Sequence, residues 1–406
     1  MKNKLIDRTN EFWLESLVIL VAFAFTWLGF GPIMIGALLL GFFVSLFFKQ
    51  KASFILRDRV FIFILALFVI NAVISSLLSI DTTKSTLLSM VAFLWIYVPY
   101  SYIQFSINDR NAFFVRWLAP VGLFIALTIV LYLFVIFMHT TITEGLVFKR
   151  YTFIWLAEAT TPDTLVVLSG IGYGWLRQKD EEKYRWLGFL FLILCFFGVL
   201  LTNDRGGLMS IFVVAIILLS YDYKRLIPFL ILIVTIFVLS FVIEELNPLH
   251  RFIEYFYSKE VQLALKEDMQ LATFRAAWEM IKDHWLMGVG TNNFSPFSKM
   301  YGIGKRFAYA HNFVLQFWAE NGLFGMIFGL SLIGLVLYRW LKSFKNYRYR
   351  YVALGVGASF IGMLVGNLTN STLWIIGSSI LFWGLAGVMS AIYFIVKEED
   401  QIVKST

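Results

Sequence analysis

Charge is what this chain has least of: Asp, Glu, Lys and Arg make up 15% of its 406 residues, against about 25% in a soluble domain. With 59% of the residues apolar, too little polar surface remains to cover a water-soluble globule, and that class is excluded. Cysteine occurs once, at Cys195, inside an apolar run. An intramolecular disulfide and a thiolate metal cage are therefore excluded. Histidine occurs four times, and no two of the four stand at the i, i+4 spacing of a helical metal site. Neither a metal nor a cofactor is expected. The chain has no Ser/Pro-rich linker, no low-complexity tract and no internal repeat, so a single membrane domain over residues 1–406 is the economical reading. The net charge of +8 does not imply nucleic acid, because in a chain this apolar Lys and Arg report which loops stay in the cytoplasm.

What is present is a series of long apolar runs. After Lys2, Lys4 and Arg8 the chain is apolar from Phe12 to Phe48, broken only at Gly29, Phe30, Gly31 and Pro32, which reads as two helices joined by a tight turn. Two spans in succession are not the pattern of a cleaved signal peptide. Further runs lie at roughly 60–80, 86–105, 117–138, 164–176, 186–201, 206–221, 226–243, 312–338, 352–368 and 372–396. The expected fold is all-α: a polytopic integral membrane protein of about 12 transmembrane helices with one long extracytoplasmic loop. With the N-terminus inside, 22 of the 34 Lys and Arg fall on the cytoplasmic side, and eight of the other 12 lie in the long loop 244–311, where the rule is weak. Both termini are expected in the cytoplasm of a cytoplasmic-membrane protein. In the long loop Leu271, Phe274, Trp278, Ile281 and Trp285 follow three- and four-residue steps, which predicts an amphipathic helix lying with that stripe against the membrane domain.

This topology gathers an uncommon set of polar groups on the outer side: His139, His250, His284 and His311, Arg205 in TNDRGG, and Arg275 in TFRAAW. Asn203 or Asp204 can cap a helix beginning at Gly206, and Asn312 can start another directly after His311. Both helices would run inward with their positive ends outward, and two helix N-termini beside arginines make an anion site. Plainer readings stand next to this one. An interfacial Arg commonly snorkels to headgroup phosphates, a lone His is more often a structural donor, and Arg275 is within i+4 reach of Glu279 for a structural pair. Glu320 lies nine residues beyond His311, about 13 Å deeper along a helix. An intramembrane carboxylate is a functional candidate, yet Gly322 and Gly325 follow at once, so neighbouring backbone can approach and make a structural site of it.

The segments FRAAWEMIKDHWLMGVGTNNF and HNFVLQFWAENGLFG, with NDRGG upstream, carry a resemblance. The stretch from Phe274 to Gly325 resembles the shared membrane domain of bacterial O-antigen ligases and O-antigen polymerases. The resemblance implies a glycosyltransferase acting outside the cytoplasm on polyprenyl-diphosphate-linked glycan, inverting and independent of metal. An Arg of the RG element, an Arg of the R-x-x-W element and the His of the HN element form its centre, matching Arg205, Arg275 and His311, with Asn312 and Glu320 as supporting residues.

Physical chemistry leads the same way. Outside the cytoplasm there is no nucleotide sugar, and the chain has no Gly-rich phosphate loop to hold one, so the donor must be membrane-anchored. Its diphosphate becomes the leaving group, which guanidinium forks at Arg205 and Arg275 suit. The acceptor hydroxyl loses a proton as it attacks, and a neutral imidazole at His311, with an ordinary pKa of about 6.5, suits that role. Tyr301 and Tyr309 could stack on sugars or belong to an interfacial aromatic belt. The partners implied are the lipid-linked glycan donor, a glycan or lipid-core acceptor, and membrane lipids. Ligase and polymerase differ only in acceptor and both stay open, as does a transporter or flippase of lipid-linked oligosaccharide, which would need polar residues such as Asn71, Glu320, Asn367 and Asn370 to line a path.

Overall fold

The computed structural model describes residues 58–79, 82–106, 119–144, 160–177, 185–202, 204–242, 269–301, 309–344 and 349–405. The two spans expected between Phe12 and Phe48 lie outside them. In a bilayer a spanning segment must bond its own backbone, so long apolar runs become helices. The described helices are α1 (Arg59–Leu77), α2 (Thr82–Ser106), α3 (Ala119–Glu144), α4 (Thr160–Leu176), α5 (Arg185–Thr202), α6 (Arg205–Val242), α7 (Met269–His284), α8 (Phe294–Ser298), α9 (Phe313–Ser343), α10 (Arg350–Gly366) and α11 (Ile376–Ser405), with a 3-10 turn at Thr372–Trp374 before α11. Six of the described helices are long and apolar enough to cross a membrane. The protein is an all-α polytopic membrane protein.

Small residues set how closely these helices pack. A methyl group at Gly355 of α10 would stand 2.3 Å from the carbonyl oxygen of Gly170 on α4, and the Ser359 hydroxyl donates to the Val166 carbonyl at 2.7 Å. On its other side α10 meets α6, where a methyl at Gly362 would stand 2.7 Å from the Ser210 carbonyl oxygen. Without a hydrophobic drive between helices in lipid, such close backbone contact is what holds them together. Large apolar side chains of α3, including Phe124, Leu131 and Val135, stay exposed, the surface a lipid-facing helix needs.

Two polar clusters tie one end of the bundle. Asp58 caps α1 through the Phe61 N–H at 3.1 Å and pairs with Arg339 of α9, which also reaches Tyr100 of α2 and, at 3.2 Å, Ser390 of α11. Arg339 stands just beyond the apolar run 312–338, where a cytoplasmic loop is expected; it is instead inside α9 and buried, because Asp58 and two hydroxyls compensate its charge. Arg177 pairs with Asp222 at 2.7 Å and lies 3.8 Å over the Tyr351 ring. Asp222 has non-helical angles of φ −137° and ψ 40° within α6, so α6 is two helices meeting at a kink beside this ion pair, and the kink falls between the spans expected at 206–221 and 226–243.

Candidate functional site

The opposite end carries the candidate residues. There α6 begins at Arg205, capped by Asp204, whose carboxylate accepts from the Gly207 N–H at 2.7 Å. The two glycines after the arginine let this helix start be wedged in. A methyl at Gly206 would stand 2.7 Å from the Asn370 side chain, and one at Gly207 would stand 2.4 Å from Pro162 of α4. Arg205 itself remains exposed.

At the start of α9, Asn312 accepts the N–H groups of Val314 and Leu315 at 3.0 and 3.1 Å, as the sequence predicts. His311, just before it, is half-buried and left-handed, with φ 54°. The expected continuous span is in fact broken at Gly322, where φ is 68° and ψ −173°. The break frees carbonyls that a continuous helix would use, and neighbouring backbone takes them. Val289 N–H bonds the Ala319 carbonyl at 2.9 Å, and Gly290 N–H bonds the Glu320 carbonyl at 2.8 Å. From α1, Ser75 donates to the Glu320 carbonyl at 2.8 Å and Asn71 to the Asn321 carbonyl at 2.7 Å. The GVG turn is thereby seated in the gap of α9.

Glu320 is fully buried. Its carboxylate accepts from the Phe294 N–H at 3.2 Å, the Gln316 amide at 2.7 Å and the Trp374 indole at 2.9 Å. This carboxylate binds the start of α8, α9 and the 3-10 turn together.

The amphipathic helix is present as α7, but it buries a different face. Thr273, Ala276, Ala277, Met280 and Ile281 are buried, while Trp278 and Trp285 are 47% and 52% exposed. Two alanines let α7 lie close to α9, and the indoles move to the rim, Trp278 standing edge-on to Trp318 with ring centres 6.2 Å apart. Arg275 is exposed, and Glu279 pairs with Lys282 at 2.8 Å. The Arg275–Glu279 pair is not formed.

The loop after α10 joins these helix ends. The Gln270 amide donates to the Thr369 carbonyl at 3.3 Å, the Asn312 amide to the Leu368 carbonyl at 3.1 Å, and the Phe313 N–H to the Asn367 carbonyl at 3.0 Å. Thr369 also touches Met209 of α6 at 3.8 Å. Thr273 of α7 reaches the Ala310 carbonyl at 3.4 Å. The starts of α6, α7 and α9 therefore converge on residues 366–372, with Arg205 and His311 at two of these starts and Arg275 five residues past Gln270 along α7. Of the other histidines, His139 and His284 are exposed, the latter against Phe297, and His250 lies outside the described residues. Burial and the Asp283 hydrogen bond push the Tyr301 phenol up to about 12; burial, then the Glu320 charge, raises Tyr309. Sequence reasoning did not single out Gln316, Thr273 or Gln270. The i, i+4 spacing of Gln316 and Glu320 was the available signal for the first, whereas the other two gain meaning only from a loop distant in sequence.

Residues 189–330, which hold all of these candidates, match a known family. That family is described as O-antigen ligase. The matched region runs from α5 into α9, bears out the resemblance seen in the shorter motifs, and supports a function in membrane glycan processing for surface polysaccharide biosynthesis. No curated protein matches the chain.

Proposed function

We propose that the protein is a membrane glycosyltransferase that moves a glycan from a polyprenyl-diphosphate carrier to an acceptor hydroxyl on the extracytoplasmic face of the cytoplasmic membrane. The reading treats residues 1–406 as one transferase domain. The observation that carries it is the convergence of the starts of α6, α7 and α9 on the loop after α10, which places Arg205 and His311 at that loop and Arg275 five residues past Gln270 along α7. Arg205 and Arg275 hold the donor diphosphate, with the N-termini of α6 and α9 adding positive potential. As the acceptor oxygen bonds to the anomeric carbon from the face opposite the diphosphate, the carbon–oxygen bond to phosphate breaks and its electron pair leaves with the lipid diphosphate. His311 takes the hydroxyl proton, and the configuration inverts. No metal or cofactor enters this scheme.

A conduit for lipid-linked oligosaccharide is less well supported, because the polar residues of the spans are engaged internally. Asn71 bonds Asn321, Glu320 has the donors above, and Asn367 bonds Met363, Thr372 and Leu373. The acceptor divides ligase from polymerase: with purified protein, lipid-diphosphate glycan and an acceptor, a single addition marks a ligase and a ladder marks a polymerase. The base role is tested by His311→Gln. Turnover should fall by about 10² to 10⁴-fold, the usual contribution of general base assistance, while donor binding persists. Retention of more than about a tenth of wild-type turnover, against that expected range, removes His311 from the role.

A further inference from the structure

We propose that Gln316 and Glu320 form a positioning relay that fixes the peptide before His311, and with it the direction of the imidazole; the proposal rests on the base role given to His311 above. The Ala310 N–H donates to the Gln316 carbonyl oxygen at 2.5 Å, and the Gln316 amide nitrogen donates to Glu320 at 2.7 Å. Every group reaching the Glu320 carboxylate is a donor: Gln316, the Asn292 and Phe294 N–H groups and the Trp374 indole. A carboxylate accepts only, so the Gln316 amide has one satisfactory orientation, its NH2 toward Glu320 and its carbonyl toward Ala310. Gln316 and Glu320 are both 0% exposed, and water cannot substitute for either.

The geometry at His311 shows why such a relay matters. Its φ of 54° is one that residues with a Cβ avoid, and it persists only where the surroundings dictate it. Both flanking residues are held. Ala310 is held at its N–H by Gln316, and the Thr273 hydroxyl of α7, which donates to the Gln270 carbonyl at 2.8 Å, stands 3.4 Å from the Ala310 carbonyl oxygen. Asn312 caps α9 and reaches the Leu368 carbonyl. The imidazole therefore leaves the backbone in a direction set by α7, by the loop after α10, and by the buried carboxylate through Gln316.

The test uses the full-length protein in three variants, with hydrogen exchange at the Ala310 amide measured beside kinetics. Gln316→Met keeps side-chain length and removes the acceptor. It should lower kcat about 10- to 100-fold, within the effect of a misplaced catalytic group, leave the donor KM within about twofold, and speed Ala310 exchange at least about tenfold. Gln316→Glu places two carboxylates together and should be worse. The exchanged pair Gln316→Glu with Glu320→Gln again offers an acceptor to Ala310 and a donor between the two side chains, but turns an amide NH2 toward the Phe294 N–H that shared the Glu320 oxygen, and should recover kcat in part, above that of Gln316→Glu alone. Recovery supports the relay even if a single variant folds poorly. Wild-type kcat in Gln316→Met overturns it, whether or not exchange at Ala310 is faster, because the contact would then only pack the helix. Wild-type turnover in His311→Gln overturns the base role itself, so the two failures are read from different variants.

Discussion

A guanidinium and an ammonium carry the same charge but offer it differently: Arg presents a planar fork of donors, Lys a compact point charge on a flexible stem. Arg205 stands exposed at the first position of α6, and Arg275 is exposed on α7 with no ion pair among the described residues. If both grip a diphosphate through bidentate contacts, Lys at either position should lower kcat/KM by at least about tenfold, or about 1.4 kcal/mol of transition-state stabilisation. Ala should be worse than Lys at both. Wild-type kinetics in Arg205→Lys and Arg275→Lys would reduce the arginines to a general positive potential. Neither substitution should unfold the protein, since neither side chain is buried, and unchanged melting behaviour in detergent is the control.

At the level of one element, two of the four glycines of α9 have opposite roles. Gly322 sits at φ 68°, and a methyl group there would stand 2.1 Å from the Leu286 carbonyl oxygen. A left-handed residue with a Cβ is disfavoured by about 1 to 2 kcal/mol, and the backbone of the GVG turn cannot yield as a side chain would. Gly322→Ala should therefore unseat the 285–290 turn and lower the melting temperature markedly. Gly334 has nothing within 4 Å of where its methyl would be. Gly334→Ala should be neutral or stabilising by up to about 1 kcal/mol, the helix-propensity difference. Equal melting temperatures for the two variants would contradict the broken-helix geometry. This element also shows what could be read beforehand. The start of α9, its Asn312 cap and the close approach allowed by Gly322 were legible, because caps and glycines act through local rules. The break itself was not, since residues 285–290 and α1 supply the partners that make it tolerable. The same limit applies to α7. Its periodicity gave the helix, but hydrophobicity alone chose Trp278 and Trp285 as the buried face, whereas close packing selected Ala276 and Ala277.

For the molecule as a whole, helix direction is internally consistent. Asp58 at the start of α1 meets Arg339 near the end of α9, so the start of α9, with His311, is at the other end, together with the starts of α4 and α6 and the end of α10. Which end faces the cytoplasm rests on the distribution of Lys and Arg among the loops. Arg339 is removed from that count by its burial against Asp58, but the excess on the same side survives its loss. The orientation is tested by impermeant thiol labelling in a Cys195→Ala background, where the only native cysteine has been removed. Met300, 68% exposed near α8, and Lys397, exposed near the end of α11, are replaced singly by cysteine. On intact cells with an accessible outer membrane face, Met300→Cys should be labelled and Lys397→Cys should react only after permeabilisation. The reverse pattern would place Arg205, Arg275 and His311 in the cytoplasm. Nucleotide sugars are available there, and the argument that the donor must be lipid-linked would lose its premise, even though the family match and the local geometry would be unchanged.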